Sequence, residues 1–159
     1  MPWVYAMSAP PLPGVYTFVF EILEKRRISV GSLLYIDFDE GLYVYVGSAR
    51  GPGGLRKRIA RHASKQKRVR WHIDYLTVDP HVVPRAAVYA VTEDDLEEEI
   101  ARALMESRIM VPTVKGFGCS DKKSFTHLFK CIESLEKCID ELRHVFTRIG
   151  LKPCVLFFS

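Results

Sequence analysis

No apolar run in this 159-residue chain approaches the roughly 18 residues needed to span a bilayer. Its proline-rich start (Pro2, Pro10, Pro11, Pro13) lacks the charged-then-apolar order of a signal peptide. A membrane span and a secretory leader are therefore not expected, and a cytoplasmic protein is the default. Cysteine is scarce as well: Cys119, Cys131, Cys138 and Cys154 form no Cys-x-x-Cys pair, so reduced thiols are expected. Cys119, His127, Cys131 and Cys138 also lack the short paired spacing of a structural zinc site. The last absence is local. Between Arg50 and Arg70 there is no acidic residue at all.

That acid-free stretch carries Arg50, Arg56, Lys57, Arg58, Arg61, Lys65, Lys67, Arg68 and Arg70, with His62 among them. The chain as a whole is only mildly basic, at net charge +4, so the positive charge is concentrated and not general. A cationic run of this density would condense onto phosphates and bind in a salt-sensitive way. The alternative is a solvated helix face, which accounts for most charge runs. Acid is concentrated in turn between Glu93 and Glu99. With 48% hydrophobic residues the chain can bury one proper core, and nothing in it suggests a second domain.

Periodicity predicts mixed elements. Residues 1–13 read as an irregular lead-in, with Trp3 and Tyr5 set against the core. Gly14 to Leu23 reads as a strand, Glu24 to Arg27 as a turn, Ile28 to Phe38 as an extended piece broken at Gly31, and Leu42 to Val46 as a strand. Short polar connections favour antiparallel pairing. Leu55, Ile59 and Ala63 then recur every four residues, the narrow stripe of a helix. On that helix Arg58 and His62 share a face beside the stripe. Val69 to Val78 alternates as an extended segment, with His72 and Asp74 on one side and able to pair. Ala86 to Val91 is a further candidate strand. Thr92 has the capping-box spacing to Asp95 ahead of a helix with Leu96, Ile100, Ala103 and Leu104 on its core face. Phe125 to Phe129 reads as extended, Ile132 to Ile149 as a helix ended by Gly150, and Pro153 to Phe158 as an edge strand. The expected fold is α/β in the α+β sense: a small, mainly antiparallel sheet flanked by helices, with a C-terminal helical extension.

Two triplets frame the first strands. Gly14-Val15-Tyr16 opens one apolar run and Tyr45-Val46-Gly47 closes another, and a glycine-rich, arginine-bearing segment containing Gly54 follows, from Ser48 to His62. In that order they resemble the GIY-YIG nuclease superfamily. The stretch from Tyr43 to Leu76, with Gly116-Phe117-Gly118-Cys119-Ser120-Asp121 and Thr126-His127-Leu128-Phe129 after it, is similar to one small, mostly archaeal and bacterial branch. That branch is catalogued as a domain of unknown function (DUF123-like) and is sometimes fused to a DNA glycosylase. The resemblance covers roughly residues 14–130, with 131–159 a C-terminal helix and strand on the same domain. In that branch cysteine often follows the Ser-Asp, whereas Lys122 and Lys123 stand there in this chain.

The resemblance implies phosphodiester hydrolysis, which needs an activated water and stabilisation of charge on phosphorus. The roles fall on Tyr16 as base or water-orienting group, Tyr45 as a hydrogen-bonding partner, and Arg58, matched by Leu-x-x-Arg, as the phosphate clamp. An acid among Glu97 to Glu99 would hold one divalent ion, Mg²⁺ or Mn²⁺. Tyr16 is a poor base at neutral pH unless Arg58 and a metal favour its phenolate. Helical spacing sets Glu97 and Glu99 on the two borders of the apolar face and Glu98 toward solvent. The spacing of the resembled family, an acid followed three residues on by an aliphatic, implies Glu97, with Glu99 as second choice. His62 would share in proton transfer or grip a phosphate, or else sit on the surface without a role. Gly47 would keep the backbone slim where substrate approaches.

Two readings follow. One is a metal-dependent endonuclease acting on DNA, in repair or processing. The other is a catalytically weak or silent nucleic-acid-binding module acting with a DNA-repair partner. RNA is a further possible ligand of either.

Overall fold

The computed structural model describes residues 8–119 and 124–158. Trp3, Tyr5, Lys122 and Lys123 lie outside the described residues. The elements in chain order are β1 (Gly14–Ile22), β2 (Arg26–Ser29), β3 (Tyr35–Phe38), β4 (Gly41–Ala49), α1 (Gly54–Ala63), α2 (His72–Thr77), β5 (Val82–Val91), α3 (Glu97–Met105), β6 (Met110–Pro112), β7 (Leu128–Cys131), α4 (Leu135–Ile149) and β8 (Cys154–Phe157).

β1 is almost wholly buried because it is the inner strand of a six-stranded sheet ordered β6-β7-β4-β1-β5-β8. All its pairings are antiparallel. Alternation then sorts β1 onto two faces. Tyr16, Phe18 and Phe20 project into one core with Tyr43, Tyr45, Leu55 and Ile59 of α1, and Ile73 and Leu76 of α2. Val15 and Val19 project into the other with Ile100 and Leu104 of α3, and Ile139, Leu142 and Phe146 of α4. The result is a helix–sheet–helix sandwich, and each fully buried aromatic or aliphatic side chain contributes about 1.5–3 kcal/mol. β2 and β3 form a separate hairpin whose Ile28 and Phe38 reach the first core. Among the described residues no helix is long and apolar enough to cross a membrane.

The expected α+β class, the antiparallel sheet and the terminal edge strand are all present, with local corrections. Arg26 and Arg27, expected in a turn, open β2 because they pair with Phe38 and Asp37 of β3. Val69 to Val78 is not extended: α2 occupies its second half. Alternating Trp71, Ile73 and Tyr75 imitate a strand, but the Asp74 carboxylate accepts hydrogen bonds from the Arg70 and Trp71 N–H groups and so starts a helical turn. Thr92 does not cap a helix. Its Oγ1 accepts from the Asp94 N–H in a local turn, and α3 begins at Glu97. α4 starts at Leu135 and not Ile132, because Ser134 is the cap, accepting from Lys137 N–H, and Ile132 is exposed. Finally, Cys131 and Cys138 are not free thiols. The end of β7 and the first turn of α4 bring their Cα atoms to 6.2 Å and they form a disulfide.

Candidate functional site

Helix α1 is positioned by the lead-in chain. The Leu55 and Arg56 N–H groups, which a helix start leaves unpaired, donate to the carbonyls of Leu12 and Pro10. Gly54 makes this approach possible: it has φ +53°, and a Cβ there would collide with the Leu12 carbonyl. A Cβ at Gly14 would likewise meet Leu55 Cδ1 at 2.6 Å. The two glycines thus seat α1 against β1.

Seated in this way, α1 presents His62 to the sheet and not to solvent. His62 is 1% exposed, and its ring lies 5.3–5.6 Å, centroid to centroid, from Phe18, Tyr16 and Tyr45. The surface location that helical spacing allowed is therefore corrected, since α1 packs more of its circumference than the Leu55, Ile59, Ala63 stripe. The Tyr16 hydroxyl and His62 Nε2 are 2.6 Å apart. Burial, and then the nearby Lys67 ammonium, lower the His62 pKa to about 3, so the imidazole is neutral at physiological pH.

Tyr16 can lie across the sheet because its register partner is Gly47. A Cβ at Gly47 would stand 2.5 Å from the Tyr16 hydroxyl oxygen and 2.6 Å from Cζ. The glycine of the second triplet thus makes room for the tyrosine of the first. Burial, followed by the neighbouring Tyr45, raises the Tyr16 pKa well above its ordinary value, and the charge and hydrogen bond of Arg58 only partly offset this. Burial, with Glu97 next, pushes Tyr45 up too. Both motif tyrosines are therefore neutral phenols in the free protein.

Arg58 reaches from Tyr16 to a cationic cleft. Its guanidinium stacks on Trp71, 4.5 Å from the ring centroid, and Arg61 stacks on the same ring at 4.6 Å. Lys57, Arg58, Arg61, Arg70 and Trp71 line a cleft of about 380 Å³ whose other wall is the glycine-rich turn. Among the described residues no acidic side chain lines it.

The rest of the cationic run is divided between structural and exposed positions. Arg61 donates to the buried Asp74 carboxylate at 2.6 Å. Burial opposes ionisation of Asp74, but hydrogen bonds from Trp71, Arg70 and Arg61 win and hold it below the usual carboxylate range. Lys65 donates to the carbonyls of Thr77, Asp79 and Val82, and Lys67 to those of Arg61 and His62 and to Thr77 Oγ1. Both lysines therefore tie off helix C-termini, where carbonyls lack intrahelical partners. Arg50 and Arg56 donate to the Glu93 and Ala9 carbonyls. Lys57, Arg58 and Arg70 in the cleft, and exposed Arg68, are the charges best placed to meet a ligand. His72 and Asp74 do not pair with each other: His72 Nδ1 accepts from the Gly118 N–H at 2.9 Å, which fastens the loop carrying Phe117 over Tyr45.

The acidic side of the site comes from the start of α3 and the start of β7. Glu97 is 8% exposed, and its charge acts on both Tyr16 and Tyr45. Glu97 Oε1 lies 3.7 Å from His127 Nδ1, and Glu98 Oε2 lies 2.7 Å from His127 Nε2. Glu98 Oε1 also accepts from the backbone and hydroxyl of Ser124. Glu98 is thus not the solvent-facing residue that helical spacing predicted, because the 124–127 chain crosses the α3 start and supplies it with donors. Ligand atoms of Glu97, Glu98 and His127 all lie within 4.8 Å of one another; Glu99 is not among them. The cysteine–histidine combination considered for zinc does not form, since Cys131 and Cys138 are bonded together and the Cys119 thiol donates to the Ser124 carbonyl.

The fold gathers Tyr16, Tyr45, Arg58 and Glu97, all singled out in the sequence, about one centre. Glu98 and the partnership of His127, 29 residues further on, are not singled out there. No local spacing signals that pair.

The model for the family described as Domain of unknown function DUF123 matches residues 15–151. The chain belongs to the DUF123 family. Its matched span holds Tyr16, Tyr45, Arg58, His62, Glu97 and His127. Neither the curated proteins nor the solved structures yield a match. The DUF123 description names no activity, so function rests on the chemistry of the site.

Proposed function

We propose that this DUF123 chain is a metal-dependent endonuclease of the GIY-YIG type that hydrolyses DNA phosphodiester bonds. One observation carries the reading. Tyr16 on β1, Tyr45 on β4, Arg58 and His62 on α1 and Glu97 on α3 meet at one centre, and Arg58 connects it to a cationic cleft. Such a cleft suits a polyanion, and the planar fork of Arg58 suits a phosphate.

The protein's own groups account for the proton movements. The attacking water gives a proton to the Tyr16 oxygen while the Tyr16 hydroxyl proton passes to His62 Nε2, so neither a phenolate nor a free hydroxide accumulates. The water oxygen bonds to phosphorus and the bond to the leaving oxygen breaks, with that oxygen taking its proton from solvent. The imidazolium this creates is disfavoured in the free protein. An arriving phosphate beside Arg58 supplies negative charge that makes it accessible. Arg58 holds the nonbridging oxygens and Tyr45 donates to one of them. Glu97 would hold Mg²⁺ or Mn²⁺, which when bound polarises the phosphoryl oxygens and stabilises the leaving group.

A second reading is favoured by one feature: Tyr16 is only 1% exposed, which restricts the approach of water. On that reading the cleft binds nucleic acid without cutting it, beside a DNA-repair partner. Incubation of labelled single-stranded, duplex, flap and branched DNA with Mg²⁺ or Mn²⁺ separates the two. The endonuclease reading expects metal-dependent cutting that Arg58→Ala and Glu97→Ala abolish without unfolding. Salt-sensitive binding without any cutting would replace it with the binding module.

A further inference from the structure

His127 is a fully buried histidine. It is 0% exposed, its Nε2 bonds to Glu98 at 2.7 Å, and its Nδ1 has no hydrogen-bond partner. Buried polar atoms are almost always satisfied, so an orphan ring nitrogen requires a reason. It faces Glu97 Oε1 at 3.7 Å. That separation is too long for an N–H···O hydrogen bond, which spans about 2.7–3.2 Å. It suits two atoms ligating one ion: with bonds of about 2.0–2.2 Å and an open ligand–metal–ligand angle, donor atoms stand roughly 3.4–3.7 Å apart.

Glu98 explains why the orphan nitrogen is a good donor. A carboxylate accepting from one ring N–H fixes the tautomer and leaves the lone pair on the other nitrogen. Ser124, donating twice to the far oxygen, holds Glu98 in place. The backbone fixes His127 from both sides: its N–H donates to the Phe117 carbonyl and its carbonyl accepts from Val46 on β4. The imidazole is therefore already oriented.

We infer that Glu97 and His127 Nδ1 form a mixed carboxylate–imidazole site selective for a first-row transition ion such as Mn²⁺ over Mg²⁺, with Glu98 as the positioning residue. This deepens the proposed site by naming the class of ion it takes. A carboxylate alone accepts Mg²⁺, whereas an imidazole nitrogen favours transition ions and gains little from the hard, hydrated Mg²⁺.

The test uses Mn²⁺ alone on the full chain. Electron paramagnetic resonance counts free Mn²⁺ during titration, with Mg²⁺ as competitor, and electron spin-echo modulation detects nitrogen bound to the ion. The expected result is Mn²⁺ binding at least 10-fold tighter than Mg²⁺, with a directly bound nitrogen in the wild-type protein. That nitrogen signal should be lost in His127→Gln, and Glu98→Gln should weaken Mn²⁺ binding by about 10–100-fold. The wild-type spectrum keeps the inference refutable even where a variant misfolds. Bound Mn²⁺ without a nitrogen coupling, or equal affinity for the two ions, overturns it. Mg²⁺-dependent DNA cleavage alongside either of those results removes the selectivity and leaves the nuclease. A nitrogen-ligated Mn²⁺ on a chain that cuts nothing keeps the site and removes the nuclease.

Discussion

Replacing His62 by glutamine should change how stability depends on pH more than it changes stability at pH 7.5. In the folded chain His62 has its pKa lowered from 6.5 to about 3, chiefly by burial. A group whose folded pKa is depressed binds fewer protons folded than unfolded, so acid favours the unfolded chain. The stability at stake is present above pH 6.5 and drains as the pH falls from there towards 3. Each unit in that window costs about 1.4 kcal/mol, so between pH 7.5 and 4.5 this one side chain should remove about 2–3 kcal/mol. His62→Gln can keep a hydrogen bond to Tyr16 and does not titrate. Urea unfolding at pH 7.5, 6.0, 5.2 and 4.5 should show wild-type stability falling about 2–3 kcal/mol further than that of the variant. His72, whose pKa is also lowered, titrates in both proteins and cancels. The depressed carboxylates Asp74, Asp79 and Glu98 lose their contributions at lower pH still. Parallel stability profiles for the two proteins would refute a buried, neutral His62 and with it the proton relay from Tyr16.

Gly47→Ala should destabilise by about 1–3 kcal/mol, the usual cost of overpacking, because the new Cβ lies 2.5 Å from the Tyr16 hydroxyl; thermal unfolding checks this, and the double variant with Tyr16→Phe should recover part of the loss. Asp74→Ala should cost about 3–5 kcal/mol at pH 7, since it unpairs the part-buried Arg61 and two backbone N–H groups. Because the Asp74 pKa is depressed, that difference should persist at neutral pH and shrink only as acid protonates the carboxylate below 3.8. Reduction of the Cys131–Cys138 bond, which closes a short loop at sequence separation 7, should lower stability by about 2 kcal/mol, read from denaturant midpoints with and without dithiothreitol.

The legible parts of this molecule are those whose signal is local. β1 and β4 announce themselves through glycine-bounded apolar runs, and Tyr16, Tyr45 and Arg58 stand out only through the family resemblance that the two triplets and Leu-x-x-Arg carry. The face of α1 is half legible: the stripe marks Leu55 and Ile59, but His62 also packs inward, with Trp71, the residue ahead of α2, beside its ring. α2 was misread because six residues are too few to establish a helical period, while Trp71, Ile73 and Tyr75 alternate by chance. What makes it a helix is Asp74 catching the chain's own N–H groups and Arg61 from α1. The Glu98–His127 contact was beyond sequence reasoning for the same physical reason: it spans two elements joined by neither periodicity nor motif. The lysines carry structural partners that a charge run does not announce. Lys65 and Lys67 look like phosphate contacts in a charge run, yet the ends of α1 and α2 consume their donors.

The most direct test of the account is the single-turnover rate of DNA cleavage by Tyr16→Phe, measured beside its DNA affinity. The substitution removes one oxygen and leaves the buried ring to hold the core. The variant should cut at a rate at least 100-fold below wild type, within the range that a positioned proton-transfer group supplies, with affinity for DNA unchanged. Cleavage at the wild-type rate by the phenylalanine variant would contradict it.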